Sequence, residues 1–377
     1  MKLPLFALLL CALPVLPACH GTPAATSHAK AVAGHPGVCA LSLVFPKDYQ
    51  VFQRQSLSGG VARVSGRCGV ACDAVQARLS GRDYTGQAYD SGWQTLAVDP
   101  ATTGFNANLN VPAGGWYALD VRAVDGGKTV AAQSVAHVGM GEVFVGAGQS
   151  NSTSCGGLGS NNPLDGRTEP VSGMVSTFDG ASWRIAKDPQ PGAHDQGQYT
   201  FGSFWPAFGD AISAKYHVPV GVAVTGHGGT SINQWKPGGE LFNWTLTRLR
   251  ELGPGGFRAV LWHQGESDAG GMSEQVYAAG LGDIIGAFRA QAGWDFPFMV
   301  AQATFRPGAG NSAAVRAAQK RLWDEQTALP GPDTDAMLGD LRDHGGKGIH
   351  FSRKGLKVHG EAWAAKVGEY LDRVLGK

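Results

Sequence analysis

Ser150 is the first residue in this chain whose type and setting could make it a nucleophile. In residues 141–151, GEVFVGAGQSN, the run Glu142 to Val145 is apolar and β-branched enough to read as a buried strand. Gly146-Ala147-Gly148 breaks that strand and leaves Gln149-Ser150-Asn151 at the turn. A serine at a strand end of an α/β sheet lies on the edge where such sheets bind ligands. Small neighbours leave its hydroxyl reachable and its backbone N–H free to donate. A Gly/Ser-rich loop capping a helix would look the same in isolation, so its meaning depends on residues further along the chain.

Three later clusters supply partners. Residues 226–231, GHGGTS, follow an apolar strand at 219–225. Paired glycines there let backbone N–H groups approach a ligand closely, as an oxyanion hole requires. A phosphate loop is disfavoured, because neither GxGxxG nor GxxxxGK[ST] is present. His227 reads as a ligand, a base or simply a polar loop residue. Residues 263–268, HQGESD, follow a strand at 258–262. Gln264 could donate to an oxyanion and Glu266 could orient a histidine. Two carboxylates so close also evoke glycoside hydrolysis, and a polar helix-capping turn is the plain alternative. Finally, residues 348–352, GIHFS, put His350 on a loop before the last helix, as expected of a base delivered late in the chain. His344 and His359 are expected to face solvent.

The elements that must hold these loops fall into two regimes. Short runs at 41–45, 61–64, 74–79, 94–97, 104–110, 115–124 and 129–138 are separated by Gly, Pro, Asp and Asn clusters. They predict a small antiparallel β-sandwich, Ig-like in spacing, over 39–139, and it carries no catalytic constellation. From residue 140 the rhythm changes. Helices are predicted at 204–217, 241–252, 273–292, 313–327 and 354–375, alternating with strands at 219–225, 258–262, 298–303 and 335–338. Near-continuous apolar strands alternating with helices predict an α/β domain with a parallel sheet covered on both faces.

The rest of the chain narrows the class. Its 377 residues suffice for two domains, and a formal net charge of +1 with 9% aromatics points to neither nucleic acid nor an acidic tail. Met1-Lys2 followed by the apolar stretch 3–16 reads as an export signal over 1–18, too short to span a membrane comfortably. Leu16-Pro17-Ala18-Cys19 resembles a bacterial lipobox, with Pro17 unusual in it. A lipid anchor at Cys19 and simple release are therefore both open, and residues 19–38 read as a flexible tether. Either route places the chain outside the cytoplasm, as a periplasmic or outer-membrane lipoprotein or as a secreted protein. Beyond the leader remain Cys39, Cys68, Cys72 and Cys155, with a small loop closed by Cys68 and Cys72 plausible.

Taken in order, GAGQSN, GGTSINQW, WHQGESD and GIHFSRKG resemble the sequence blocks of the SGNH (GDSL-like) hydrolases, within them most closely the sialate O-acetylesterase and acetylxylan esterase branch. The resemblance covers about residues 141–377, and the preceding β-domain also fits that branch. It implies a three-layer α/β/α fold and a serine esterase that removes acetyl groups from sugars. Ser150 would be the nucleophile and His350 the base. The oxyanion would be held by the N–H groups of Ser150 and of Gly228 or Gly229, with the Gln264 side chain beside them. Substrate contacts are expected from Gln149, Asn151 and Trp235. No metal or organic cofactor is implied, and the partner is an acetylated carbohydrate.

Many members of that family carry aspartate three residues before the histidine, where this chain has Lys347. The third triad member is thus open: Glu266 first, then Asp343 and Asp340, or a Ser–His dyad helped by a backbone carbonyl. Of the tryptophans near these blocks (Trp183, Trp205, Trp235, Trp244, Trp262), one or two are expected to line a cleft, Trp235 foremost. The polar, glycine-rich stretch 152–162 favours a small acyl group on a hydrophilic carrier. A general short-chain acyl esterase and a catalytically impaired carbohydrate-binding relic are the alternatives.

Overall fold

The computed structural model describes residues 40–157 and 166–377. The predicted signal, the tether, Cys19, Cys39 and part of the 152–162 loop lie outside the described residues. The described residues from 40 to 377 belong to one compact unit. Among the described residues no helix is long and apolar enough to cross a membrane.

The chain begins with β1 (Leu41–Phe45), β2 (Gln50–Gln53), β3 (Gly59–Cys68), β4 (Ala74–Arg82), β5 (Ala88–Asp90), β6 (Gln94–Leu96), β7 (Gly104–Pro112) and β8 (Gly114–Asp125). A three-stranded antiparallel sheet is ordered β1-β3-β7, while β4 pairs with β5, β6 and β8. Alternate residues point inward, as a half-buried strand demands. Tyr117, Leu119, Val121 and Ala123 of β8 meet Val75, Ala77 and Leu79 of β4, with Val64, Phe105, Leu109 and Val111 completing one core. Cys68 and Cys72 are free thiols with their sulfurs 3.5 Å apart.

β9 (Lys128–Gly148) is a single strand of 21 residues. Its first half pairs antiparallel with β8, and β2 then runs parallel along its Val138-to-Gly141 stretch. Its last segment is the centre of a second, parallel sheet. The sequence places a domain boundary between 139 and 140, where the rhythm of its elements changes, and β9 runs through that point. Gly141 on it is a close approach: a Cβ there would fall 1.9 Å from the Pro219 carbonyl oxygen.

The remainder runs β10 (Val175–Phe178), β11 (Trp183–Ile185), α1 (Trp205–Tyr216), β12 (Val220–Val224), α2 (Glu240–Leu252), β13 (Ala259–His263), α3 (Glu274–Ala292), β14 (Phe298–Gln302), α4 (Ala313–Asp324), β15 (Leu329–Asp333), the four-residue α5 (Asp343–Gly346) and α6 (Arg353–Leu375). Sheet order is β11-β10-β12-β9-β13-β14-β15. Neighbours from β10 to β15 are parallel, and β11 closes one edge antiparallel. Val143, Val145 and Val260 face α2, α3 and α4 through Phe242, Leu281, Phe288 and Leu322. Phe144, Val222 and Leu261 face α1 and α6 through Phe208, Ile212, Trp363 and Val367. The result is a mixed α/β fold with a mostly parallel sheet covered on both faces. The last strand lies at Leu329–Asp333 rather than at 335–338. Pro330 and Pro332 read as breakers, yet an edge strand tolerates them, since one side of its ladder needs no N–H donors.

Candidate active site

Ser150 opens a single tight helical turn, Ser150–Ser152, directly after β9, where the first N–H groups find no partner within the turn. The turn is held from both sides. Gln149 donates its N–H to the His263 carbonyl at the end of β13 (2.8 Å), and His227 donates its N–H to the Gly148 carbonyl (2.9 Å). The strand ends carrying GQSN, HGGT and HQGES are thereby fixed against one another. A Cβ added to Gly228 would stand 3.5 Å from the Ser150 Cβ, so Gly228 packs onto the serine.

Several residues expected to touch substrate prove to be braces. Gln149 is buried, and its Oε1 accepts from the Ser267 N–H at 3.2 Å. Asn151 donates its Nδ2 to Glu266 Oε1 (2.8 Å) and to the Ile349 carbonyl (3.3 Å). Gln264 has no exposed surface and is saturated: its Nε2 donates to Asp268 Oδ2 (2.6 Å) and the Thr230 carbonyl (3.0 Å), while its Oε1 accepts from Tyr277. Its amide is therefore committed to holding loops, not free to donate to an oxyanion. Asp268 completes the clamp by accepting from the Ser231 hydroxyl and the Ile232 N–H. Trp235 is fully buried, its ring edge-on to Trp262 at 5.0 Å and its N–H donated to Thr230 Oγ1. It belongs to the core because the turn after the glycine pair aims it inward between the sheet and α2 and α3.

Glu266 does not meet His350. Its Oε1 faces His263 Nε2 at 3.2 Å, and His263 Nδ1 faces His359 Nε2 at 3.1 Å. The indole N–H of Trp363 can only donate, and it points at that same His359 nitrogen (3.1 Å). His359 Nε2 thus accepts, and the facing His263 Nδ1 is the donor to it. Burial alone would push the Glu266 carboxyl up, but the His263 charge and the hydrogen bonds from His263 and Asn151 hold it below its ordinary value. His359, expected at the surface, is wholly buried against Phe204 and Phe351. Burial first, and the neighbouring His263 second, hold its ring neutral, well below the usual histidine range.

The acid beside His350 is Asp343. Its Oδ2 lies 3.7 Å from His350 Nδ1, and its side chain is fully buried with neither oxygen hydrogen-bonded. Asp343 and His350 face each other across a two-strand contact, with the Asp343 N–H donated to the His350 carbonyl (3.0 Å) and Arg342 bridging Phe351. The intervening chain loops out: His344, Gly345 and Gly346 all have positive φ, and Lys347 is exposed. Gly348 is required beneath the loop, since a Cβ there would sit 1.6 Å from Asp343 Oδ1. A longer excursion thus returns an aspartate to the histidine where the shorter spacing has a lysine. Asp340 is engaged elsewhere, in an exposed ion pair with Lys354. Two contacts tie the His350 loop to the serine turn: Asn151 to the Ile349 carbonyl, and the Gly157 N–H to the Phe351 carbonyl (2.7 Å).

The rim of the site adds Tyr199, which the sequence did not single out, to glycines and a tryptophan that it did. The Gly228 N–H already donates to the Tyr199 hydroxyl at 2.7 Å. Burial raises that phenol above its ordinary value, so it keeps its proton and can donate in turn. The open glycine is Gly229, with φ +70° and no atom beyond its chain neighbours within 4 Å of where a Cβ would stand. Trp244 on α2 is the partly exposed tryptophan here, 38% accessible, and its ring stands edge-on to His194. One or two of the five tryptophans named from the sequence were expected to line a cleft, Trp235 foremost; Trp235 is buried, and Trp244 is the exposed one.

Residues 140–368 match the sequence model of the family described as carbohydrate esterase, sialic acid-specific acetylesterase. The chain belongs to that family. A curated relative, a probable carbohydrate esterase of Arabidopsis thaliana, is 27% identical over 141 residues, which are 34% of this chain and 54% of the relative. The chain thus spans about half the length of the curated relative it matches. A solved carbohydrate acetylesterase from Xanthomonas citri shares the fold, with a TM-score of 0.53 and 18% identity over 89% of this chain and 76% of that one.

Proposed function

We propose that this protein is a serine carbohydrate esterase that removes O-acetyl groups from a glycan through an acetyl-enzyme intermediate, on an SGNH-type fold. Ser150 attacks the acetyl carbonyl; His350 takes its proton and later returns it to the departing sugar hydroxyl. Asp343 holds the His350 Nδ1–H and stabilises the imidazolium. The observation that carries this reading is the buried, unpartnered Asp343 carboxylate facing a histidine whose loop is fastened to the serine turn. A separation of 3.7 Å is long for a hydrogen bond, but such contacts tighten once the ring becomes charged in the reacting complex. The oxyanion is received by the Ser150 and Gly229 N–H groups, with the Tyr199 hydroxyl beside them through Gly228. Trp244 offers an exposed ring face for a sugar. The apolar leader at 3–16 and the Leu16-to-Cys19 motif support export, with a lipid anchor at Cys19 or simple release.

Acetate release from an acetylated xylo-oligosaccharide and from O-acetyl sialic acid, alongside a short-chain aryl ester, tests the proposal. Release from a sugar that vanishes in Ser150→Ala is the expected result. Equal turnover of the aryl ester without any sugar preference would favour the general short-chain esterase. Sugar binding with no release by either protein would overturn catalysis and leave the binding relic.

A further inference from the structure

Beside the serine, on the far side of Gly228, three side chains converge that the proposed hydrolysis does not use. His194 Nδ1 and His227 Nδ1 face each other at 3.3 Å. Asp195 Oδ2 lies 3.6 Å from the first and 3.9 Å from the second. Two histidine nitrogens bound at about 2.0–2.1 Å to a tetrahedral zinc stand about 3.3–3.4 Å apart, so the observed nitrogen pair already has the edge length of such a site. The carboxylate oxygen is a few tenths of an ångström wide of the third vertex.

The protonation pattern favours ligation as well. Glu240 Oε1 lies 3.1 Å from His194 Nε2. A carboxylate only accepts, so a neutral His194 carries its proton on Nε2 and turns the Nδ1 lone pair toward the cluster. This is the carboxylate–histidine arrangement that orients metal-binding imidazoles. Asp195 adopts φ +55°, an uncommon backbone conformation outside glycine, and so brings its carboxylate back over the two rings.

We propose that His194, His227 and Asp195 form a site for a divalent cation of the zinc type at the rim of the serine cleft. Glu240 orients His194 from behind. Three protein ligands leave the fourth position to water or to a substrate oxygen. The site rests on geometry alone and is independent of whether Ser150 is the nucleophile.

The test is direct titration of untagged protein with Co2+, read by visible d–d absorption, and with Zn2+, read by calorimetry and by displacement of Co2+. The expected result is one cation per chain with the intense band of tetrahedral Co2+, retained in Ser150→Ala. His194→Gln and His227→Gln should abolish the band. Glu240→Gln should weaken affinity by about 10–100-fold, as loss of an orienting partner does. Asp195 is exposed enough that Asp195→Ala should keep the fold, which circular dichroism verifies, while losing the tetrahedral band. An ordinary histidine–histidine hydrogen bond predicts the opposite: no d–d band, or uptake equal in wild type and in all four variants. Either outcome overturns the site.

Discussion

Glu142 and Asp343 are both carboxylates without exposed side-chain surface, and the fold treats them in opposite ways. Glu142 sits in β9 where the antiparallel strands give way to the parallel sheet. Its two oxygens take hydrogen bonds from Arg54, Gln53 and Arg258 at 2.7–3.1 Å. Asp343 has none, and its neighbours are two histidine rings at 3.3 and 3.7 Å. An isolated buried charge costs far more than a paired one. A saturated carboxylate therefore marks a structural joint. A bare one beside a histidine marks a group whose partner acquires charge during a reaction.

That contrast breaks most visibly at Asp343. Asp343→Asn should lower kcat by about 10⁴-fold, the loss typical when a triad aspartate can no longer hold the right tautomer. KM should hardly move and thermal stability should stay level or rise, since an unpartnered buried charge disappears. Full activity in this variant would return the role of orienting acid to Glu266. Glu142→Gln should do the reverse: removing one side of a buried ion network costs about 3–5 kcal/mol of folding stability. A urea titration reads that loss, and the kcat of the protein that remains folded should be unchanged.

The smallest expected effect concerns a third buried group, His359. Its ring is neutral in the folded state, while an unfolded histidine binds a proton below about pH 6.5. The unfolded state then holds more protons, so stability should fall as pH drops below that point, by at most about 1.4 kcal/mol per pH unit. Denaturant midpoints measured from pH 7 to 5 should show this slope in wild type and a shallower one in His359→Gln. Identical slopes would mean that His359 is protonated in the native state.

The sequence announced the chemistry better than the surroundings. Strand ends followed by glycines are a local signal, so Ser150, the Gly228-Gly229 pair, the HQGES turn and His350 could be found without knowing what packs where. The acid could not. Asp343 reaches His350 only because His344, Gly345 and Gly346 turn left-handed and take up the extra residues, leaving Lys347 at the spacing where an aspartate was sought. Burial was equally hidden: Trp235 and Trp244 differ in whether long-range contacts from α3 and the sheet cover them, which no window of neighbouring residues reveals. His359 looked like one more polar position on the final helix until Trp363 and His263 closed over it. The division at residue 139 came from the change of rhythm between short strands and alternating strands and helices, which does not show that one strand, β9, spans both.

The continuity of β9 also bears on how the molecule comes apart. The hydrogen bonds that fasten β8 and β2 and those that seat Gly141 to Gly148 beneath the serine turn lie on one backbone, with no hinge between them. Fraying that starts in the N-terminal strands has nowhere to stop before it reaches the Ser150 turn. The two halves should therefore behave as a single cooperative unit, with hydrogen exchange at Phe144 as slow as at Leu119 and one calorimetric endotherm for both.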